Sequence, residues 1–479
     1  PVCQPATATT DSEPADTPAE STTPAGSSTT AEPTTASSPT ETDTEPTETD
    51  AEPIDAQSDR ADVAGATGDP PVSDDEAKWA EAATGTGDDV DDVVAEEAEA
   101  MPETAGESST TPTESSAEEA APAAIDDAGI DRAAVDRLDY GNFMGALAEQ
   151  QGHQAPLMAE AAGLDCSATR YEEACASAGV AVTAGVEAIR AGTADVIVAG
   201  GMERMTCLDT GAVTDALAIA ADELHEVRAG MTFPSAYALM ARAYFDRFGG
   251  GRKDLAHIAV KNHANAVPNE YAQYQREITV DDALDAPPVA EPLHLYDACP
   301  ITDGASAIVL VADDVAAATD LDASVAITGV GQGGDRLALQ DRDGIAETPA
   351  AINAAEAAYA DSGLTAADID VAEVHDCFTI AEAMALDSLG ITDPGEGVFA
   401  ARDGLTTPDG DCPVNLSGGL KAKGHPVGAT GGSQIAELTR LLRGDHPNSK
   451  HVDDATTGVA DNAGGTVASA VVHVLEVVE

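Results

Sequence analysis

Segments of small apolar residues alternate between helical and strand periodicity from about residue 121 onward. The stretch ACASAGVAVTAGVEAIR (174–190) predicts a buried helix, followed by a turn at Gly192 and a strand across 195–199. Continuous apolar runs predict three more strands, SAIVLVA (306–312), SVAITGV (324–330) and the closing ASAVVHVLEVV (468–478). Strands without polar alternation, interleaved with helices, are typical of an α/β fold whose sheet is covered on both faces.

Residues 1–120 form a low-complexity tract of Thr, Ser, Pro, Ala, Glu and Asp. Arg60 and Lys78 are its only basic residues, and Trp79 is its only aromatic residue. Such a segment buries too little apolar surface to offset its chain entropy. We therefore predict a disordered acidic tail over 1–120, in which 85–101 carries a weak helix signal.

An internal repeat divides the remaining chain. AAIDDAGIDRAAVDRLDYG (123–141) is similar to AYADSGLTAADIDVAEVH (358–375), and placing Gly129 on Gly363 aligns Asp136 with Asp370. Each copy predicts the end of a helix, a glycine stop, a short second helix and a strand. The repeat indicates two similar halves, 121–315 and 316–479.

The repeat also exposes a gap in the first half. The strand SVAITGV precedes the second copy, but the same offset in the first half falls on the acidic stretch DDVDDVVAEEA. On this pattern alone the first half lacks its opening strand, unless 90–95 replaces it. A truncated or misread start before residue 121 is an open explanation for this gap.

The charge of the chain limits its partners. It has 87 acidic and 22 basic residues, a net charge of −65, and lysines only at 78, 253, 261, 421, 423 and 450. This charge repels nucleic acid and anionic membranes, and no apolar run reaches the roughly 18–20 residues of a membrane helix. An acidic, lysine-poor surface favours a salt-adapted cytoplasm as the location. The seven cysteines form no CxxC pair, which argues against disulfide and structural zinc frameworks.

Two motifs suggest a nucleophile and a base. Cys175 lies where a loop meets the predicted small-residue helix, and a helix N-terminus lowers the pKa of a thiol. A buried structural cysteine is the alternative interpretation. His425 lies in the glycine-rich turn GGLKAKGHPVGATGG (418–432), where it could serve as general base for a thiol, or could be an ordinary loop histidine.

Two further motifs accompany them. His375 and Cys377 follow a strand in EVHDCF, at the carboxyl end where sites in α/β sheets collect. With no further ligands nearby, this pair suits proton transfer better than metal binding, and we predict no metal. Asn462, Gly464 and Gly465 predict a tight turn before the last strand, whose amides could face an oxyanion or form an ordinary turn.

Together these motifs resemble those of the thiolase family. Cys175-Ala-Ser177 matches the nucleophile motif Cys-x-Ser, and Gly424-His425-Pro426 matches the Gly-His-Pro motif. His375-Asp376-Cys377-Phe378 and Asn462-Ala463-Gly464 stand where most members have Asn-Glu-Ala-Phe and Cys-x-Gly, and are similar to the sterol-carrier-protein type and its archaeal relatives. The resemblance covers about 123–479 and includes FPSAYALMARAYFDRFG (233–249) and CPITDGASAIVL (299–310). With the acidic composition, it suggests a haloarchaeal member.

The resemblance implies a thiolase-like fold of two βαβαβαββ halves in α-β-α-β-α layers, with an inserted loop region at about 202–298 that shapes the acyl-CoA pocket. It implies that Cys175 is the acylated nucleophile, His425 its activator and Cys377 the acid/base at the substrate α-carbon. His375 takes the place of the asparagine that orients a water or binds the oxyanion. The amides of Cys175 and Gly464, beside Asn462, make a second oxyanion hole. Ser417, Gly418, Lys421 and Lys423 are predicted to contact CoA; solvated lysines are the alternative.

The implied reaction is condensation of two acetyl-CoA to acetoacetyl-CoA, or thiolysis of 3-ketoacyl-CoA, through an acyl-cysteine. Coenzyme A enters as substrate, with no permanent cofactor. The resemblance also implies a role in lipid metabolism, in the mevalonate pathway, and a homodimer or homotetramer. It implies two possible partners, hydroxymethylglutaryl-CoA synthase and an OB-fold, zinc-ribbon protein. The alternatives are a ketoacyl-synthase-type condensing enzyme and a catalytically impaired thiolase-like subunit of that complex.

Overall fold

The computed structural model describes residues 5–8 and 112–478, except residues 320 and 322. Most of the predicted tail, the weak helix at 85–101 and the candidate replacement strand at 90–95 lie outside the described residues. The predicted end of the tail at 120 is wrong, because a helix already begins at Pro112 and continues to Ala128.

Strands and helices alternate along the described chain. The strands are β1 (Pro5–Ala8), β2 (Arg137–Gly141), β3 (Ser167–Tyr171), β4 (Val196–Glu203), β5 (Pro288–Ala290), β6 (Leu293–His294), β7 (Gly304–Ala312), β8 (Val325–Gly334), β9 (Val371–Glu373), β10 (Thr457–Gly464) and β11 (Ser469–Val477). The α-helices are α1 (Pro112–Ala128), α2 (Gly145–Ala148), α3 (Ala155–Ala161), α4 (Ser177–Arg190), α5 (Thr210–Ala218), α6 (Phe233–Phe248), α7 (Arg252–Ala266), α8 (Val280–Asp285), α9 (Asp313–Ala318), α10 (Pro349–Ser362), α11 (Thr379–Ser388), α12 (Gly397–Asp403), α13 (Gly419–Ala422) and α14 (Thr430–Arg443). The strands predicted from apolar runs correspond to β4, β7, β8 and β11, and the predicted small-residue helix corresponds to α4.

Nine of the described strands form one mixed sheet, in the order β3-β2-β4-β7-β1-β8-β11-β10-β9. In the second half β8 pairs antiparallel with β11, while β10 pairs antiparallel with β11 and parallel with β9. In the first half β4 likewise pairs antiparallel with β7 and parallel with β2. The two halves therefore share one strand plan.

The place of the opening strand that the sequence pattern lacks is occupied by β1. This strand lies beside β7, as β8 lies beside β11, but it has only four residues and runs parallel to β7, whereas β8 runs antiparallel to β11. It also pairs in parallel with β8 and so joins the two halves. The predicted gap is thus filled by residues 5–8 in the reverse orientation.

The internal repeat is confirmed by backbone geometry. Helices α1 and α10 end before Gly129 and Gly363, which have φ angles of +68° and +78°, and a short 3₁₀ helix follows each glycine. Asp136 then accepts hydrogen bonds from the amides at the start of β4, and Asp370 accepts them at the start of β10. The aligned aspartates therefore do the same structural task in each half.

Helices cover the sheet in layers that bring the two halves together. Helices α4 and α14 pack against each other, while α1 packs on β4 and β7 and α10 packs on β8 and β11. The contact between α4 and α14 is close because a Cβ on Gly431 would lie 2.4 Å from the backbone nitrogen of Gly179. This contact places the first turns of both helices next to β10.

The predicted loop region at about 202–298 contains helices α5 to α8 and the β5–β6 hairpin. Helices α6 and α7 contribute buried side chains to the second apolar core, among them Tyr237, Tyr244 and Leu255. None of the described helices is long and apolar enough to cross a membrane.

Candidate active site

Three of the predicted residues meet at one point. Cys175 lies just before α4, His375 follows β9, and His425 lies in the turn between α13 and α14. The Cys175 sulfur and one ring nitrogen of each histidine all lie within 4.8 Å of one another. The two imidazole rings are nearly perpendicular, with centroids 5.1 Å apart. A thiol and two imidazoles are thus positioned to act on one substrate group.

The environment of Cys175 differs from the sequence prediction. The residue keeps partial exposure, as a nucleophile requires, but protein surrounds its thiol and burial raises the thiol pKa to about 12. The amides of Gly465 and of Cys175 itself hydrogen-bond the sulfur and lower this pKa only in part. The predicted lowering of the thiol pKa by the helix N-terminus is therefore wrong, because desolvation outweighs it. A neighbouring base must accept the proton.

His425 is held as a neutral imidazole. Its Nδ1 lies 2.7 Å from Thr430 Oγ1, and its backbone amide donates to Thr302 Oγ1 at 3.0 Å. Burial lowers the pKa of His425 to about 3, so the ring is uncharged at neutral pH. A neutral imidazole within reach of a thiol can accept the thiol proton.

His375 is also buried and neutral. Burial, together with the nearby His425, lowers its pKa well below the ordinary value. Its Nδ1 lies 3.2 Å from Asn462 Nδ2, and its Nε2 is buried with no hydrogen-bond partner among the described residues. A buried nitrogen without a hydrogen-bond partner destabilises the folded protein unless a substrate atom forms that hydrogen bond.

Cys377 lies next to this group in the apolar core. Burial, then the charges of Cys299 and Cys175, raises the pKa of the Cys377 thiol well above its ordinary value. A hydrogen bond from Tyr237 acts in the opposite direction. The acid/base role of Cys377 stays a prediction, and the structure provides a partner for its thiol.

The second oxyanion site differs in detail from its prediction. Asn462 does not lie in a turn but inside strand β10, which ends at Gly464. The amide that contacts the Cys175 sulfur, besides its own, belongs to Gly465 and not to Gly464. Gly465 has φ +59°, so a residue with a side chain would be strained there.

The predicted CoA contacts are all buried. Ser417 donates to Glu373, Gly418 packs against Ala266 with φ +103°, and Lys423 Nζ donates to Ser433 Oγ at 2.8 Å and lies 3.8 Å from Glu437. Their contact with CoA stays a prediction, whereas the alternative of solvated lysines is wrong because Lys421 and Lys423 are buried. Lys421 is buried too, with its Nζ 5.7 Å from the centroid of the Tyr296 ring.

Several buried polar residues that the sequence analysis did not single out hold the site. Asp376 accepts the amides of Leu420 and Lys421, which fixes the segment before His425, and burial together with Glu382 raises its pKa to about 7. Glu203 accepts the amides of Phe143, Met144 and Gly428 and so supports the other side of that turn.

Thr430, Tyr237 and Cys299 were also missed as individual residues. The stretches that contain them were noted as family-like or glycine-rich, and that was the only signal available. The Cys299 amide donates to the Cys377 carbonyl at 3.0 Å, and the Tyr237 hydroxyl donates to the Gly465 carbonyl at 2.9 Å. These contacts join the family-like stretches at 233–249 and 299–310 to the segments that carry Gly465 and Cys377.

The same trio is the one cluster of metal-type ligands in the part of the chain that the structure describes: Cys175, His375 and His425. A cysteine with two neutral histidines matches the ligand types of zinc, and it equally matches a thiol with its base. The prediction of no metal stays a prediction.

Comparisons with known proteins identify the family of the chain. Residues 93–314 match the family profile "Thiolase, N-terminal domain", and residues 331–477 match "Thiolase C-terminal domain-like". The chain is 43% identical to an acetyl-CoA acetyltransferase of Methanothermobacter thermautotrophicus and 38% identical to one of Methanocaldococcus jannaschii; each match covers 74% of this chain and 92% of the relative.

More distant relatives agree on the fold. Human sterol carrier protein 2 is 29% identical over 73% of this chain and 65% of that protein. The solved structure of an Ltp2-ChsH2(DUF35) aldolase superposes with a TM-score of 0.64 at 28% identity, over 76% of this chain and 92% of that one.

Proposed function

The chain belongs to the thiolase family, and we propose that it transfers acetyl groups between coenzyme A thioesters through an acyl-Cys175 intermediate. It is an acyltransferase, with acyl-CoA as its substrate. The observation that carries the mechanism is the meeting of the Cys175 sulfur with one nitrogen each of His375 and His425 within 4.8 Å.

The first half-reaction uses Cys175 and His425. The neutral His425 ring accepts the thiol proton as the sulfur attacks the thioester carbonyl, and the amides of Cys175 and Gly465 stabilise the tetrahedral oxyanion. When the intermediate collapses, the carbon–sulfur bond to CoA breaks, and the CoA thiolate takes the proton from His425. Acyl-Cys175 and free CoA remain.

The second half-reaction uses Cys377 and the two imidazoles. His425, neutral again after the first half-reaction, takes the proton of the Cys377 thiol; the Cys377 thiolate then removes a proton from the α-carbon of a second acetyl-CoA, and an N–H of His375 stabilises the enolate oxygen. The enolate carbon attacks acyl-Cys175, which releases acetoacetyl-CoA and the Cys175 thiolate; this thiolate takes the proton from His425, while Cys377 keeps the proton of the α-carbon, so that both thiols and the imidazole are neutral again. Thiolysis is the same path in reverse.

The finer assignments extend this proposal. We propose condensation of acetyl-CoA for the mevalonate pathway, a cytoplasmic location in a salt-adapted haloarchaeal cell, and a homodimer or homotetramer. The names of the archaeal relatives support the acetyl group, and the net charge of −65 supports the salt adaptation.

Acylation of the full chain in high salt tests the function. After incubation with acetyl-CoA, intact-mass measurement should show one added acetyl group on the parent and on Cys377→Ala, but none on Cys175→Ser. Thiolysis of acetoacetyl-CoA should be lost in both variants. Cys412→Ala is the matched control, because Cys412 is another buried cysteine and is not placed at this site. A parent that is folded yet gains no acetyl group contradicts the proposal.

A second candidate is a thiolase-like subunit that acts with a partner. The structural similarity to the Ltp2-ChsH2(DUF35) aldolase favours it, because that name joins two proteins. An OB-fold, zinc-ribbon protein and hydroxymethylglutaryl-CoA synthase are the partners we propose in this case. An aldolase needs no acyl-cysteine, and a ketoacyl synthase needs no Cys377, so the same acylation and Cys377→Ala measurements separate these alternatives.

A further inference from the structure

Asn462 contacts both sides of the site at once. Its Nδ2 lies 3.0 Å from the Cys175 carbonyl oxygen and 3.2 Å from His375 Nδ1. It is buried inside strand β10, and its two amide hydrogens suffice for both contacts. One side chain therefore connects the backbone of the nucleophile to the second histidine.

The orientation of this amide follows from its surroundings. A carbonyl oxygen only accepts hydrogen bonds, so the Asn462 atom that faces the Cys175 carbonyl must be the NH₂ group. Asn462 Oδ1 then lies against Gly179 and Gly431, where an added Cβ would approach it to 2.8 and 2.3 Å. Gly179 is in the first turn of α4, where the helix dipole favours an oxygen, although Asn462 Oδ1 makes no hydrogen bond among the described residues.

This orientation determines the tautomer of His375. Because Asn462 Nδ2 can only donate, His375 Nδ1 must accept, and the single proton of the neutral ring resides on Nε2. That Nε2 is buried and makes no hydrogen bond to any of the described residues. Its N–H is therefore available to donate a hydrogen bond to a substrate oxygen.

The other histidine has the opposite arrangement. Thr430 Oγ1 donates to the Pro426 carbonyl at 3.1 Å, so it must accept from His425 Nδ1, which then carries the proton. His425 Nε2 is left with a lone pair, as a base for a thiol requires. Two neutral imidazoles in one site therefore hold a donor and an acceptor, set by two different side chains.

We propose that Asn462 is a positioning residue that fixes His375 as the Nε2–H tautomer, so that His375 donates a hydrogen bond to the oxyanion of the carbon–carbon bond-forming or bond-breaking step. The role in catalysis rests on the proposed function; the tautomer does not. In the sequence this asparagine stands where most thiolases carry a cysteine, which could not hold both contacts.

Nuclear magnetic resonance of the full chain with ¹⁵N-labelled histidine tests the tautomer. His375 signals are assigned by their loss in His375→Gln. The parent should show a pyrrole-type shift at Nε2 and a pyridine-type shift at Nδ1. Asn462→Asp is nearly isosteric, and at a pH above the pKa of the new carboxyl group its carboxylate only accepts, so the two shift types should exchange there. Asn462→Ala, which imposes neither tautomer, should give shifts between the two.

Kinetics separates a positioning role from a merely structural one. Thiolysis kcat should fall about 100-fold in Asn462→Asp, because one oxyanion donor is lost, while KM for acetoacetyl-CoA changes by less than about threefold. Alkylation of Cys175 by iodoacetamide, which needs no oxyanion donor, should stay within about threefold of the parent and report an intact site.

Two results would overturn the inference. The first is a parent His375 protonated at Nδ1. The second is an Asn462→Asp protein that keeps the parent shifts or the parent kcat. The two failures are distinguishable. If the parent shows no thiolysis but the shifts exchange as expected in Asn462→Asp, the tautomer assignment is supported and the proposed function is rejected.

Discussion

Burial sets the protonation of every side chain in the site. It raises the pKa of the Cys175 and Cys377 thiols and lowers the pKa of His375 and His425, so all four groups are neutral at rest. Nucleophile and base therefore do not form an ion pair before substrate binds. Charge develops only during reaction, where the oriented amides and imidazoles can stabilise it most.

The residue best placed to tune Cys377 is Tyr237. Its hydroxyl donates its one proton to the Gly465 carbonyl at 2.9 Å and lies within hydrogen-bond reach of the Cys377 sulfur, and its ring stacks on Phe378 with centroids 4.7 Å apart. A hydrogen bond to a charged group is worth about 1.5–3 kcal/mol. When Cys377 ionises in the proposed mechanism, the hydroxyl can turn its proton from the Gly465 carbonyl to the sulfur and so stabilise the thiolate.

Tyr237→Phe should slow the step that depends on Cys377. We expect thiolysis kcat to fall roughly 10- to 100-fold, from the lost stabilisation of the thiolate, while acetylation of Cys175 continues. Tyr244→Phe is the matched control, because Tyr244 lies on the same helix and its hydroxyl donates to Asp387 at 2.7 Å, away from the site. Equal losses in the two variants would show that Tyr237 acts only in packing.

At the scale of elements, local sequence patterns correctly predicted the strands and helix ends that depend on neighbouring residues alone. The apolar runs predicted β7, β8 and β11, and the repeat around Gly129 and Gly363 predicted matching helix ends, because a left-handed glycine stop is encoded within a few residues. The meeting of Cys175, His375 and His425 followed from the resemblance, since their separation in sequence contains no distance information.

The failures depend on distant parts of the chain. Asn462 was predicted in a turn because glycines follow it, yet the close approach of α4 and α14 makes room for it inside β10. The pKa of Cys175 was predicted from its own helix, while the burial that decides it comes from the surrounding fold. A solvated Lys423 was the alternative to a CoA contact, but the lysine is buried, and Glu437 provides a buried partner for its charge.

The contact between β8 and α10 shows how tightly elements pack in this alanine- and glycine-rich protein. Gly329, Gly331 and Gly333 point the same way along β8, and an added Cβ would lie 2.3, 2.0 and 2.0 Å from carbonyl oxygens of α10. The buried face of the helix is formed by alanines: Ala350, Ala351, Ala354, Ala355 and Ala358. Strand and helix therefore touch through their backbones.

Gly331→Ala should therefore destabilise the protein. The methyl group must push helix α10 away, and we expect the free energy of unfolding to fall by roughly 2 kcal/mol or more. Urea unfolding at constant salt, followed by circular dichroism, measures this change. In Gly334→Ala, on the same strand, the nearest atom to the new Cβ is 3.9 Å away, so we expect a change below about 0.5 kcal/mol. Similar values for both variants would show that the contact is not tight.

At the scale of the whole molecule, charge is the feature that sets the chain apart. A net charge of −65 means that like charges repel one another along the chain. The Debye length falls from about 10 Å at 0.1 M salt to about 3 Å at 1 M, so concentrated salt removes most of this repulsion. The CoA substrate is itself an anion, and it meets the same repulsion on approach.

Raising KCl from about 0.1 to about 2 M should therefore increase both the thermal midpoint of unfolding and kcat/KM for acetoacetyl-CoA. The sign is opposite to that of an enzyme with a basic approach to its site, where salt weakens the attraction of an anionic substrate. Sucrose is the control, because it stabilises by exclusion from the surface without screening charge, and so should raise the midpoint but not kcat/KM. A midpoint that falls in KCl contradicts charge repulsion as the main force that destabilises the folded chain at low salt. If the midpoint rises but kcat/KM is unchanged, salt acts only on folding. The charge of the chain then does not affect the approach of the substrate.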